Sequence, residues 1–141
     1  MRSTTRLRAR TGALVMTLLL LGPFAACGGT DAAGDDGGVT PISPEAWLSS
    51  PPRDALLLDV RSREEFAKGH VPGAVNIPHD ELAGRLGELP GGKDRALVVY
   101  CESGRRAGRA ESLLAEQGYS NLHHLEGDMK AWRAAGRPTE R

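Results

Sequence analysis

The chain is poor in aromatic residues, cysteine and net charge, and each shortage closes off a class of protein. Two tryptophans, two tyrosines and two phenylalanines in 141 residues supply no basic surface interleaved with stacking rings, the pattern that nucleic-acid binders use. Eighteen basic side chains face eighteen acidic ones, so no net positive field draws the chain to a polyanion. Two cysteines, Cys27 and Cys101, are too few for a disulfide framework. The longest apolar run has eleven residues, which as a helix reach about 16 Å against a hydrocarbon core of about 30 Å. No membrane-crossing helix is expected. The length suits a single domain around one core.

The charge that is present is unevenly placed. Arg2, Arg6, Arg8 and Arg10 come before any acid, the first of which is Asp31. Residues 12–22 (GALVMTLLLLG) follow, then Pro23, Phe24, Ala25, Ala26 and Cys27. A basic flank, a short apolar stretch and small residues before a cut mark residues 1–26 as a secretory signal peptide. Its removal takes four arginines away and leaves 14 basic against 18 acidic side chains, a mature charge of −4. The segment Phe24-Ala25-Ala26-Cys27 resembles the lipobox of bacterial lipoproteins, with Phe24 where leucine is usual. That resemblance implies lipidation of Cys27, which becomes the first residue of the mature chain. It places the protein in the cell envelope on the extracytoplasmic side, in the periplasm or on the outer face, bound to the membrane through its N-terminal lipid. An ordinary cut near Ala26 gives a secreted soluble protein instead. Residues 27–40 form a Gly/Asp-rich tether with no apolar periodicity, about 20 Å from end to end as a coil. With Cys27 lipidated, Cys101 is the one thiol left in the mature domain, which then folds without a disulfide.

From there on, strand and helix patterns alternate. Residues 39–42 read as a short edge strand, and Ser43-Pro44-Glu45 as an N-cap, a first-turn proline and a first-turn acid. Residues 55–60 (ALLLDV) and 95–100 (RALVVY) are apolar runs suited to strands covered on both faces. Ser62 and Glu65 match a capping box, and Gly69 stops the helix that follows. After the Pro72-Gly73 turn come a short strand at 74–77 and a helix carrying Leu82, Leu86 and Leu89. Ala107, Ala110, Leu113 and Leu114 mark one face of a helix ended by Gly118. A fifth strand spans 121–125 and a last helix 128–135. The pattern calls for an α/β domain with a central parallel five-stranded sheet and helices on both faces.

The residues that carry chemistry gather at Cys101-Glu102-Ser103-Gly104-Arg105-Arg106, between a strand end and a helix start. In open α/β sheets the binding crevice lies beyond the carboxyl ends of the strands, and a loop running into a helix N-terminus aims backbone N–H groups at an anion. Those amides and the two arginines favour a thiolate, which makes Cys101 the candidate nucleophile. Gly104 allows a close turn, and Arg105 and Arg106 offer forks for an oxyanion. Glu102 opposes the thiolate unless it pairs with an arginine or points to solvent.

This loop resembles the active-site loop of the rhodanese family, a six-residue cradle around a persulfide-forming cysteine. Leu58-Asp59-Val60-Arg61, Glu64-Glu65-Phe66 and Gly69-His70-Val71-Pro72-Gly73-Ala74 resemble the family's first signature. Leu125-Glu126-Gly127, Trp132 and Gly136-Arg137-Pro138 resemble its C-terminal one. The resemblance implies a single rhodanese-like domain over residues 41–138. It also implies a sulfurtransferase that moves sulfane sulfur from a donor such as thiosulfate to a thiol or cyanide acceptor, through a persulfide on Cys101. Glu102, Ser103, Gly104, Arg105 and Arg106 are then the substrate-binding loop. No cofactor, metal or nucleic acid is implied, and the chain is expected to act as a monomer. Two positions depart from the family pattern: Glu102 stands where many active members have arginine, and Asp128 where a second glycine is usual. Aspartate tolerates unusual backbone angles and can cap the last helix from there.

Two other readings compete. A phosphatase or arsenate reductase of related fold needs five residues between cysteine and arginine, but the sixth position after Cys101 is Ala107. A non-catalytic persulfide-binding or sulfur-sensing module of the cell envelope shares the sequence features and differs only in turnover. Among the remaining residues, His70 is expected to fix its turn, and His123 and His124 to point to opposite faces of a strand. Trp47 and Trp132 are expected in the core. Asp59 and Arg61 are expected either to reach the crevice or to form an ion pair.

Overall fold

A computed structural model describes residues 38–141. The expected signal peptide, Cys27 and most of the tether lie outside the described residues. Five strands form one sheet: β1 (Thr40–Ile42), β2 (Leu56–Asp59), β3 (Val75–Asn76), β4 (Leu97–Tyr100) and β5 (Leu122–Leu125). All neighbours pair in parallel, in the order β1-β5-β4-β2-β3. The helices are α1 (Pro44–Ser49), α2 (Arg63–Lys68), α3 (Leu82–Arg85), α4 (Arg105–Glu116) and α5 (Asp128–Ala134).

The two central strands, β2 and β4, are buried along their whole length, as apolar runs in a doubly covered parallel sheet must be. Successive side chains alternate between two cores. Leu56, Leu58, Leu97, Val99 and Cys101 pack with Leu82 of α3 and with Ala107, Ala110 and Leu114 of α4. Leu57, Val98, Tyr100 and Leu125 pack with Met129 and Trp132 of α5, and Trp47 of α1 closes over them half-buried. Each fully buried Leu or Val stabilises the fold by about 1.5–3 kcal/mol.

Local signals act as the sequence predicts at several ends. Ser43 Oγ accepts the Ala46 N–H, with Pro44 in the first helical turn. The capping box is reciprocal: Ser62 Oγ accepts the Glu65 N–H, and Glu65 accepts the Ser62 N–H. His70 holds its turn, with Nδ1 3.0 Å from the Phe66 carbonyl and its ring stacked on Phe66 at 3.6 Å between centroids. Its backbone exchanges hydrogen bonds with Glu140.

Two expectations need correction. The leucine repeat does not make one helix: α3 ends at Arg85, a single 3-10 turn covers Leu86–Glu88, and Leu89 is extended. Gly84 and Gly87 flank the break, and glycine is the residue least able to sustain a short helix. Asp128 does not cap α5. It is already the first helical residue, behind Gly127, and its side chain makes no cap hydrogen bond.

The connections set the position of the site. From β2 the chain runs through α2 to the β3 edge, whereas from β4 it runs through α4 to β5 on the opposite side. The strand order therefore switches direction between β2 and β4. A crevice opens beyond the carboxyl ends of strands at such a point, where Asp59 and Cys101 both stand.

Candidate active site

Cys101 follows the last residue of β4, and its side chain is 1 % exposed. The Gly104 N–H donates to Cys101 Sγ at 3.1 Å. Gly104 has the left-handed φ of 89° and starts α4 with no side-chain cap, so the first-turn amides of a twelve-residue helix face the loop. The head of α5 fixes the rest of the loop backbone. Asp128 Oδ1 accepts the Cys101 N–H at 2.7 Å, the Met129 N–H donates to the Cys101 carbonyl, and the Lys130 N–H donates to the Glu102 carbonyl.

A Cβ on Gly104 would lie 3.2 Å from Asp128 Oδ2, at a φ that side chains avoid. Gly104→Ala is therefore expected to lower the alkylation rate of Cys101 and its sulfur loading by about tenfold or more, because the amide aimed at Sγ must move. Unchanged iodoacetamide kinetics would show that this contact does not matter.

The two loop arginines divide. Arg106 is clamped by Glu65 through two hydrogen bonds of 2.6 and 2.8 Å. Glu65 raises the Arg106 pKa, and the Cys101 thiol adds to that effect. Arg105 is exposed and makes no ion pair among the described residues. Ser103 is exposed as well. Glu102 pairs with Arg133 of α5, and its other oxygen lies 3.6 Å from Arg61 Nη1. The acid at the second loop position is thus neutralised by arginines outside the loop, not by Arg105 or Arg106.

Beneath the loop, Asp59 and Arg61 form a buried ion pair. Arg61 Nε and Nη2 hold Asp59 at 2.7–3.1 Å, and Nη2 also donates to the Gly69 carbonyl. Burial works against the Arg61 charge, and the Asp59 hydrogen bonds and charge outweigh it. Tyr100 Oη accepts the Val71 N–H, and burial pushes its phenol well above the ordinary value.

The sequence reading missed Glu111 and Arg133 and, for Glu65, found the cap but not the pairing with Arg106. Glu65 serves twice, as the capping-box acid of α2 and as the anchor of Arg106. The Arg106 hydrogen bonds hold its pKa down to about 2, although burial acts to raise it. A carboxylate whose folded pKa lies below its unfolded one stabilises the fold above the unfolded value and loses that contribution as pH falls through the folded one. Acid unfolding between about pH 4.5 and 2 should therefore occur at higher pH in Glu65→Gln than in the wild type, and coincident acid transitions by circular dichroism would refute this. Glu111 carried a visible signal: it lies on the apolar face of α4 between Ala110 and Leu114, and it is buried.

Comparison with known proteins shows the family. Residues 45–135 match the family model of the rhodanese-like domain, and the chain belongs to that family. A sulfurtransferase of Allochromatium vinosum is 40 % identical over 85 residues, covering 60 % of this chain and 78 % of that protein. The thiosulfate sulfurtransferase PspE of Escherichia coli is 37 % identical over 70 residues, covering 50 % of this chain and 67 % of the relative. Among solved structures, a rhodanese-related protein of Thermoplasma volcanium superposes with a TM-score of 0.62 at 27 % identity, over 72 % of this chain and 97 % of the other. Across the curated relatives the chain spans from 38 % to 80 % of their length. The described residues form a single rhodanese-like α/β domain, of a family whose members include sulfurtransferases.

Proposed function

We propose that this protein is a thiosulfate sulfurtransferase that carries sulfur as a persulfide on Cys101. The observation that carries the reading is the Cys101 sulfur at the β2/β4 switch point, receiving the Gly104 amide at the head of α4 with Arg106 locked beside the loop. The relative named as a thiosulfate sulfurtransferase supports the donor class.

In the first half-reaction the Cys101 thiolate attacks the outer sulfur of thiosulfate. A sulfur–sulfur bond forms to Cys101, the bond to the sulfonate sulfur breaks, and sulfite leaves with that electron pair. The terminal persulfide sulfur carries the negative charge, which preorganised loop amides stabilise without reorganisation. In the second half-reaction a thiolate or cyanide attacks that outer sulfur, and Cys101 leaves as the thiolate. Arg105, exposed at the surface, orients the anionic donor, Arg106 adds its positive charge from its clamp on Glu65, and Glu102, Ser103 and Gly104 complete the loop. The cycle needs no cofactor or metal and works in a monomer, residues 41–138 forming the working domain.

Intact-mass analysis after thiosulfate treatment tests the reading. One added sulfur atom, discharged by cyanide with release of thiocyanate, is the expected result. A second reading, a persulfide-binding or sensing module, is favoured by the 1 % exposure of Cys101. It predicts a stable sulfur adduct with no discharge. An unmodified Cys101 in the presence of thiosulfate and other sulfane-sulfur donors overturns the transfer cycle.

The N-terminal pattern supports an extracytoplasmic, lipid-anchored location, with Cys27 as the acylated residue. Cells fed a radiolabelled fatty acid are expected to label the wild-type chain in the membrane fraction and not Cys27→Ser. Equal absence of label from both, with wild-type protein in the medium, identifies the secreted soluble form instead.

A further inference from the structure

A chain of three charged side chains ends on the backbone of Cys101. Glu111 of α4 lies with Oε1 2.6 Å from His124 Nδ1, and His124 Nε2 lies 3.3 Å from Asp128 Oδ2. The other Asp128 oxygen accepts the Cys101 N–H. Asp128 and Glu111 are buried, and the His124 side chain is three-quarters covered. The chain joins α4, β5 and α5 to the peptide unit of the nucleophile.

Two features show that Asp128 holds its place for its carboxylate. Its φ of 54° lies in the left-handed region, where a glycine would avoid the strain. Gly104 also lacks the Cβ that would press on Asp128 Oδ2 at 3.2 Å. The position has a cost for the chemistry, however. A carboxylate one peptide unit from a thiolate disfavours the charged sulfur. His124 sits where its positive charge, shared with Glu111, offsets that of Asp128.

We propose that His124 is a positioning residue for sulfur transfer: as an imidazolium between Glu111 and Asp128, it neutralises the carboxylate that holds the Cys101 amide and so keeps the Cys101 thiolate accessible at neutral pH. The groups facing the imidazole bear this out. Glu111 and Asp128 are the titratable side chains paired with it, while its neighbours in the sheet, Pro41 of β1 and Val99 of β4, carry no charge. Asp128 first and Glu111 second hold the His124 pKa up to about 10 against the effect of burial. His123, on the other face of β5, is pushed down by burial and has no carboxylate partner among the described residues.

The inference rests on the transfer reading for its purpose, but it is tested without any sulfur donor. The pH dependence of iodoacetamide alkylation at Cys101 gives the thiolate pKa of the full chain. His124→Gln keeps a hydrogen-bonding side chain without the charge, and it is expected to raise that pKa by about one unit and slow alkylation at pH 7 about tenfold. In an Asp128→Asn background, which keeps an acceptor for the Cys101 N–H, the same His124→Gln change is expected to move the pKa by less than about a third of a unit. A His124→Gln profile that superimposes on the wild type overturns the proposal, as does an equal shift in both backgrounds. A histidine that only supports the fold would lower the melting temperature and leave the profile in place.

Should His124→Gln not fold, the wild-type chain carries the test. By reciprocal linkage, neutral alkylation of Cys101 removes an anion that favours the imidazolium, so the His124 titration midpoint followed by NMR should fall. An unmoved midpoint overturns the proposal. Failure of sulfur loading with these shifts intact would sink the transfer cycle and leave the charge coupling standing.

Discussion

Cys101→Ser is expected to abolish sulfur loading and to lower thiocyanate formation by at least about 10³-fold, the scale of loss when a covalent nucleophile is removed. The reason is chemical more than structural. A serine hydroxyl holds its proton at neutral pH and cannot form the sulfur–sulfur bond on which the cycle depends. The cradle itself should survive, because the smaller oxygen can still accept the Gly104 N–H that now reaches Cys101 Sγ. Thermal unfolding close to the wild-type midpoint, together with lost turnover, is the combined result that assigns the chemistry to the sulfur. Residual thiocyanate release at more than a few per cent of the wild-type rate would place the sulfur elsewhere. Cys101 is the free cysteine among the described residues, so such a result would also reject the persulfide.

The largest loss of stability is expected from Arg61→Met. Arg61 and Asp59 are almost fully buried, at 1 % and 0 % exposure. Their pairing through Nε and Nη2 offsets the desolvation of both charges. Taking the guanidinium away leaves the buried Asp59 carboxylate without its cation, empties the place over the Tyr100 ring and leaves the Gly69 carbonyl unsatisfied. Breaking such a pair costs about 3–5 kcal/mol. The urea midpoint should fall accordingly, and a loss below about 1 kcal/mol would mean that water or another cation reaches Asp59. The double replacement Asp59→Leu with Arg61→Met should recover much of the loss, because two apolar residues leave no charge uncompensated. Activity need not return with stability, since Arg61 Nη1 also faces Glu102 in the loop.

Glu102 shows how the sequence and the structure divide the problem. In the sequence it stands next to the nucleophile and threatens the thiolate. In the structure it turns toward Arg133 and Arg61, residues that are respectively 31 positions downstream and on another strand's end, and no local pattern could have named them. Asp128 is similar. The sequence marks it as unusual and allows a backbone angle that the structure realises at φ 54°, but the expected cap is replaced by a bond to the Cys101 amide. The competing donors decide this: α5 begins within reach of the loop, so the carboxylate meets a buried N–H before it meets its own first turn.

The sequence by itself determined the alternation of strands and helices, the buried character of β2 and β4, the capping box at Ser62 and Glu65, and the loop that carries Cys101. These rest on local rules, on periodicity, side-chain volume and backbone freedom, which act within a few residues of chain. It could not hold α3 together, because Gly84 and Gly87 weaken a helix whose leucines still keep the right spacing. Only the tertiary structure decided which charges meet: Glu65 with Arg106, Glu102 with Arg133, and Glu111 with His124 and Asp128. Coulomb attraction and hydrogen bonding depend on distance in space, and a parallel sheet with crossover helices brings together residues that are far apart along the chain.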